Sequence, residues 1–167
     1  MTIVPIFSYG KSRINWKNIP KITAYSLAKT EVRLPDMAIG KVTLIAIAFV
    51  RQAQEMIDSW AIPFENRFSN KEKYAYYEIP MLGGIWRVFR GSIDGGMRAG
   101  IPNEKHKNVL THYGNYRDYT SYLLIDNLNN GHVFLLDREG LIRFRGMGFP
   151  SEKDIIELIQ IVERLGE

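Results

Sequence analysis

Residues 41–68 read KVTLIAIAFVRQAQEMIDSWAIPFENRF, and a change of hydrophobic period inside that stretch sets the architecture. Residues 42–49 are nearly all apolar and rich in β-branched side chains, as a strand covered on both faces requires. From Arg51 the period lengthens to about 3.6. Ala53, Met56, Ile57, Trp60, Phe64 and Phe68 share one stripe, while Gln54, Glu55, Asp58 and Glu65 fall off it. An amphipathic helix therefore follows a central strand. Its phase assigns Trp60 and Phe64 to the core rather than to a partner-facing patch. Pro63 lies inside the pattern, where its missing N–H favours a kink.

Working outward, residues 31–34 alternate into Pro35 and Asp36, a short edge strand. Residues 73–79 carry Tyr74, Tyr76 and Tyr77 and read as a strand ended by Pro80, which makes strand, helix and strand a parallel crossover. Residues 82–114 are broken by Gly83, Gly84, Gly91, Gly95, Gly96 and Gly100, yet Trp86, Val88, Phe89, Ile93 and Met97 keep them amphipathic. One or two short helices are expected there, then a capped helix from Asn103 to about His112 behind Pro102. Three short strands follow, Tyr119–Asp126, His132–Asp137 and Leu141–Gly146, with turns at Asn129–Gly131 and Arg138–Gly140. Ser151 opens a last helix whose buried face is Ile155, Ile156, Leu158, Ile159, Val162 and Leu165, and Ser151 to Asp154 has the form of a capping box. The pattern predicts an α/β domain over 31–167, a central mixed β-sheet flanked by helices on both faces, behind a basic lead-in over 1–30.

Composition narrows the chemistry. The 167 residues, 46% hydrophobic and 24% charged, suit one folded domain. None is cysteine, which excludes disulfides, thiolate nucleophiles and cysteine-bound zinc or iron–sulfur clusters. The longest apolar run, 42–50, is well short of the roughly 18 to 20 residues that span a bilayer. A net charge of +4 favours anionic partners: nucleic acid, an anionic membrane surface or an acidic protein face. Lys11, Arg13, Lys17, Lys21 and Lys29 precede the first acid, Glu31, a transit-peptide composition that Pro5 and Pro20 interrupt. A lead-in that packs Ile14, Trp16 and Ile22 on the domain accounts for the same residues.

The layout and the string GHVFLLDREGLIRFRG (131–146) resemble the end of a thioredoxin or peroxiredoxin domain. That superfamily places its thiols where the central strand enters the helix, here Gln54 to Asp58, and a cis-proline before the hairpin strand, where Gly131 stands. A narrower resemblance joins AFVRQAQEMIDSWAIPFENRF (48–68), the tyrosine strand, the basic glycine-broken middle and GHVFLLDREGLIRFRGMG (131–148). Together these are similar to the mitochondrial ATPase-complex assembly protein "ten" family, from about Gly40 to Leu158. The resemblance implies a thioredoxin-like fold without a redox site. It also implies an assembly chaperone for the membrane sector of the mitochondrial ATP synthase, binding the membrane-embedded proton-channel subunit on the matrix side of the inner membrane, without enzymatic activity.

The residues offer one candidate surface. Arg87, Arg90, Arg98, Lys105, Lys107 and Arg117 interleave with Trp86, Val88, Phe89 and Ile93, as in segments that lie on a membrane or dock a client. Trp86, Arg87, Phe89, Arg90 and Arg98 are the expected partner contacts. Other chemistries find little support. His106 and His112 are six apart, wrong for two ligands on one helix face, and His132 is the only other histidine, so no metal or cofactor is expected. Asp126, Asp137 and Glu139 sit at strand ends and a turn, where carboxylates serve turn geometry. Gly91 to Gly96 lacks the Lys-Ser/Thr ending of a phosphate loop. Nucleic-acid binding by a basic face with Tyr74, Tyr76, Tyr77, Tyr113, Tyr116 and Tyr119 is the alternative from another class.

Overall fold

A computed structural model describes residues 17–167; Ile14 and Trp16 lie outside them. Among the described residues seven strands form one mixed sheet: β1 (Ile22–Ser26), β2 (Glu31–Leu34), β3 (Val42–Ala48), β4 (Tyr74–Leu82), β5 (Leu110–Tyr113), β6 (His132–Leu136) and β7 (Ile142–Met147), in the order β2-β1-β5-β4-β3-β6-β7. The helices are α1 (Gln54–Phe68), α2 (Arg90–Gly100), α3 (Arg117–Leu123) and α4 (Glu152–Gly166). Every residue of β3 is buried, as its unbroken apolar run requires. It pairs parallel with β4 and antiparallel with β6. Strand alternation then divides the core: Val42, Leu44, Ala46 and Ala48 meet α1 and α4, while Ile45 and Ile47 meet the β1–β2 hairpin and α3.

The stripe along α1 buries Ile57, Trp60, Phe64 and Phe68, and the helix runs unbroken through Pro63. Trp60 Nε1 donates to Gly148 O at 2.8 Å, and its ring lies where a Cβ on Gly146 would come within 2.6 Å. Only glycine fits at 146. In α4 the reciprocal capping box forms, Ser151 Oγ accepting from Asp154 N and Asp154 Oδ2 from Ser151 N. At its other end Lys73 Nζ and Arg138 Nη2 both donate to Gly166 O, cations placed on the negative pole of the helix.

Five expectations are corrected. Ile156, expected on the buried face of α4, is 51% exposed. Residues 22–26, inside the expected lead-in, form β1, whose alternating burial places Ile22 and Ala24 in the core. Residues 119–126 are not a strand: α3 occupies 117–123, because Tyr116, Tyr119 and Leu123 recur at helical spacing on the core and Leu124 ends the turn at φ 54°. The helix expected over 103–112 is a 3-10 helix, Asn103–Asn108, followed by β5, whose apolar residues complete the sheet beside β4. Finally, β4 continues through Pro80. Tyr76 O accepts from Asn108 Nδ2 and Leu82 O from Gly114 N, so alternate residues 76, 80 and 82 turn their backbone groups toward β5. The missing N–H of Pro80 therefore leaves the β3 ladder intact.

Candidate functional site

The C-terminal ends of β3, β4 and β5 and the start of β6 meet at one end of the sheet. There the chain passes from β3 through a 3-10 turn, Arg51–Ala53, into α1. This is the junction where the resemblance places thiols; Ala53 and Ile57 are buried there, while Arg51, Gln52, Gln54 and Glu55 are exposed. A Cβ on Gly131 would lie 2.8 Å from Ile57 Cγ1 and 3.2 Å from Ala53 O. Phe49 stands edge-on to Tyr116, 5.0 Å between centroids, and to His132 at 6.4 Å. The side chains of the window bond to one another and to backbone, Gln54 Nε2 donating to Asp58 Oδ1 and Ser59 Oγ to Met56 O. His132 is fully buried, with Nε2 on Asn127 O at 2.8 Å. Burial holds it below the ordinary histidine range, which the Asn127 contact partly offsets.

Beyond β4 the chain leaves the sheet at Gly83 and forms a 3-10 helix, Gly84–Phe89, that buries none of its residues. At three residues per turn, side chains three apart stack. Ile85 and Val88 form the outer ridge, 79% and 85% exposed, and Trp86 and Phe89 a flanking ridge, 50% and 55% exposed, with ring centroids 6.3 Å apart. The third edge turns inward, where Arg87 Nη2 donates to Tyr113 O at 2.8 Å. The apolar side chains thus project from a convex knob.

Helix α2 follows directly and touches the sheet through charge. Asp94, its one buried residue, accepts hydrogen bonds from Thr111 Oγ1 (3.0 Å) and Tyr113 OH (2.7 Å). Arg90 Nε lies 3.5 Å from Asp94 Oδ2, and its guanidinium stands 5.3 Å from the Tyr25 ring centroid. Arg98 Nη1 reaches Leu27 O at 3.5 Å. Gly91, Gly95, Gly96 and Gly100 have open space at their Cβ positions.

Of the five expected contacts, Trp86 and Phe89 are brought together and face outward, while Arg87, Arg90 and Arg98 each make a contact that fastens the segment to the domain. Val88, counted in the amphipathic stretch but not among the five, is the most exposed of the segment; the residues missed are Ile85 and Asp94, the anchor. The three-residue period of Ile85, Trp86, Val88 and Phe89 after a Gly-Gly pair was the available signal for Ile85. Nothing local marked Asp94 as buried, because its partners stand on β5.

The remaining candidates lie elsewhere. Trp60 and Phe64 are core residues. His106 is buried with Nε2 on Ile101 O, and His112 packs edge-on against Tyr119. Asp137 serves its turn, Oδ1 accepting from Glu139 N and Leu141 N. Tyr74, Tyr76 and Tyr77 belong to β4, Tyr113 to β5, and Tyr116 and Tyr119 pack on the core beside α3, so the six tyrosines do not make one stacking platform. Glu78 on β4 accepts from Tyr76 OH at 3.2 Å, and burial raises its pKa above the ordinary carboxyl range. Among the described residues no cluster of three or more metal-ligating side chains occurs, and no helix is long and apolar enough to cross a membrane.

Solved structures similar to this chain include thiol–disulfide proteins. The chain resembles a structure described as the thiol:disulfide interchange protein DsbE of Chlorobium tepidum, with a TM-score of 0.63 and 16% identity over 90% of this chain and 96% of that one. The thioredoxin domain of a thiol-disulfide oxidoreductase of Bacteroides vulgatus gives 0.58 and 17% over 90% and 98%. The exposed lipoprotein thioredoxin Etrx1 of Streptococcus pneumoniae gives 0.59 and 12% over 84% and 98%. At these identities the likeness establishes the thioredoxin-like fold, here carried by a chain without cysteine. No curated protein sequence matches the chain. Residues 15–165 match the ATP10 protein family, so the chain belongs to that family, whose role is in ATP synthase assembly.

Proposed function

We propose that this protein is a non-enzymatic assembly chaperone for the membrane sector of the mitochondrial ATP synthase, working on the matrix side of the inner membrane. It binds the membrane-embedded proton-channel subunit and shields part of its surface until the next subunit arrives. Trp86, Arg87, Phe89, Arg90 and Arg98 are the contact region. The observation that carries this reading is the uncovered apolar knob of Gly84–Phe89, fastened to the sheet by Arg87 and continued by a helix fastened through Asp94. Exposed apolar surface held by specific polar bonds fits a binding role. Composition supports the non-enzymatic part, since the chain has no cysteine to carry thiol chemistry at the start of α1.

Site-specific photocrosslinkers at Trp86 and Phe89 in energised mitochondrial membranes test it. A crosslink to the proton-channel subunit, lost when the probe is moved to exposed Ile156 on α4, is the expected result. Crosslinks to that subunit from Ile156 but not from 86 or 89 would reject the surface; none anywhere during active synthase assembly would reject the role.

A further inference from the structure

We propose that the outer edge of β4 at residues 74–76 is a docking slot for one extended, acidic peptide segment of a partner protein, added as a parallel strand. The slot lies at the end of β4 away from the knob, roughly 20 Å along the strand. It therefore goes beyond the client contacts above and does not depend on them.

Strand register leaves the place vacant. β5 pairs with β4 only at Met81 and Leu82, with one further bridge from Val109 to Glu78. The same parallel offset would bring His106 beside Ala75. Residues 103–108 instead leave the sheet as a 3-10 helix, and His106 O accepts from Ala28 N. The first residues of β4 thus have β3 on one side and, among the described residues, no strand on the other.

Hydrogen bonding along that edge decides what can be added. Val42 N donates to Lys73 O, which assigns the odd residues of β4 to β3 and turns the even ones outward. Tyr74 N already donates to Lys71 O, and Tyr76 O accepts from Asn108 Nδ2 at 2.7 Å. Tyr74 O and Tyr76 N–H are left without a strand partner among the described residues. An antiparallel neighbour uses both main-chain groups of one residue, whereas a residue on a parallel neighbour takes the carbonyl and the N–H that flank one residue, here Ala75. The free pair is the parallel pair.

Space and charge select the occupant. A cavity of about 490 Å³ opens along these residues, with Val32, Met37, Phe64 and Phe68 among its walls. Lys41, Lys71 and Lys107 line it without an ion pair among the described residues. Of its two acids, Glu65 is held by Lys105 at 3.3 Å, which leaves Glu72 against the three ammonium groups. Carboxylates on alternate residues of an extended segment complement them, while its main chain bonds the edge. Nucleic acid is the poorer match: Tyr74 packs on Phe68 with 4.5 Å between centroids, Tyr76 donates to Glu78, and Tyr77 packs on the core, so no ring stands free for stacking.

Fluorescence anisotropy of the full chain with labelled decapeptides tests the proposal, using alternating Glu-Thr, alternating Lys-Thr, and the Glu-Thr peptide N-methylated at every amide. The first is expected to bind, more weakly as salt rises, and the other two at least about tenfold less tightly. Lys71→Glu/Lys107→Glu, with an unchanged unfolding midpoint, is expected to lose about tenfold in affinity for the first. Hydrogen exchange of the Tyr76 amide should slow when that peptide binds. Equal affinity for the Glu and Lys peptides, retained affinity in the double variant, or unaltered exchange at Tyr76 would each overturn it. Slowing of that amide by oligouridylate and not by peptide would give the slot to nucleic acid, and slowing in the chain alone as it dimerises would give it to a second copy; either result overturns the proposal. The crosslinks from positions 86 and 89 depend on none of these outcomes.

Discussion

The carboxylate of Asp94, on the glycine-rich helix α2, accepts a 2.7 Å hydrogen bond from the hydroxyl of Tyr113 on β5. No other residue of α2 is buried, so the helix that continues the exposed knob rests on the sheet mainly through this carboxylate and its two hydroxyl donors. An apolar anchor would be interchangeable with other apolar side chains. This one is specific in direction and number.

Asp94→Ala leaves two hydroxyls on β5 without their acceptor and is expected to cost about 2 to 3 kcal/mol. Urea unfolding of Asp94→Ala, Tyr113→Phe and the double variant measures it. A coupling of about 1 to 2 kcal/mol is expected from the pair, and simple additivity would dismiss the anchor.

Gly146→Ala drives a methyl into the Trp60 ring and is expected to lose about 1 to 3 kcal/mol. Trp60→Phe shortens the ring that is struck. The two substitutions together should cost less than the sum of the single losses in denaturant midpoints, and a strictly additive result would mean that the clash is relieved elsewhere.

Stability should fall in mild acid through His132. With Nε2 donating to Asn127 O, the buried Nδ1 is without a partner, and burial holds the folded pKa below the unfolded value of about 6.5. A base depressed in this way binds fewer protons folded than unfolded, so its neutral form costs nothing above pH 6.5. Stability then declines as pH drops below that value toward the folded pKa. His112 shifts in the same direction and adds to the decline. Unfolding free energies from pH 8 to pH 5 are the measurement, and the slope, rather than absolute stability, should flatten in His132→Phe. An unchanged slope would reject the assignment.

Glu78 has the opposite sign. Its carboxyl is raised by burial first, with Asp58 and Glu65 adding to the shift against the hydrogen bonds from Gln54 and Tyr76. The ionised form is therefore penalised in the fold at neutral pH and relieved as pH falls through the folded pKa. Glu78→Gln is expected to be more stable than wild type at pH 8, with the gain shrinking toward acid pH. A variant less stable than wild type at pH 8 would show that the hydrogen bonds outweigh burial.

Elements with an unambiguous period were legible before the structure. The apolar run of β3, the stripe on α1, the hairpin of β6 and β7, and the capped α4 all carry their own local signal. Residues 117–123 were not, because Tyr and Thr favour strands locally while Tyr116, Tyr119 and Leu123 meet the core only as a helix. Residues 110–113 are too short to declare a strand, and they become one because β4 offers an open edge beside them. The candidate surface was half legible: aromatic and basic residues alternate in the chain, but which of them point outward depends on three residues per turn and on Tyr113 and Leu27 receiving the arginines.

Composition and local pattern established a cysteine-free α/β domain with a covered central strand followed by an amphipathic helix, since side-chain period and the absence of sulfur are properties of the chain itself. Which side chains remain uncovered was decided by tertiary contacts. Burial of Trp60 against Gly146, the close approach of Gly131 to Ile57, and the hold of Asp94 on Tyr113 each join residues distant in sequence. Those contacts consume some apolar and charged side chains and leave Ile85, Trp86, Val88 and Phe89 uncovered, an outcome fixed by which partners the fold brings within reach.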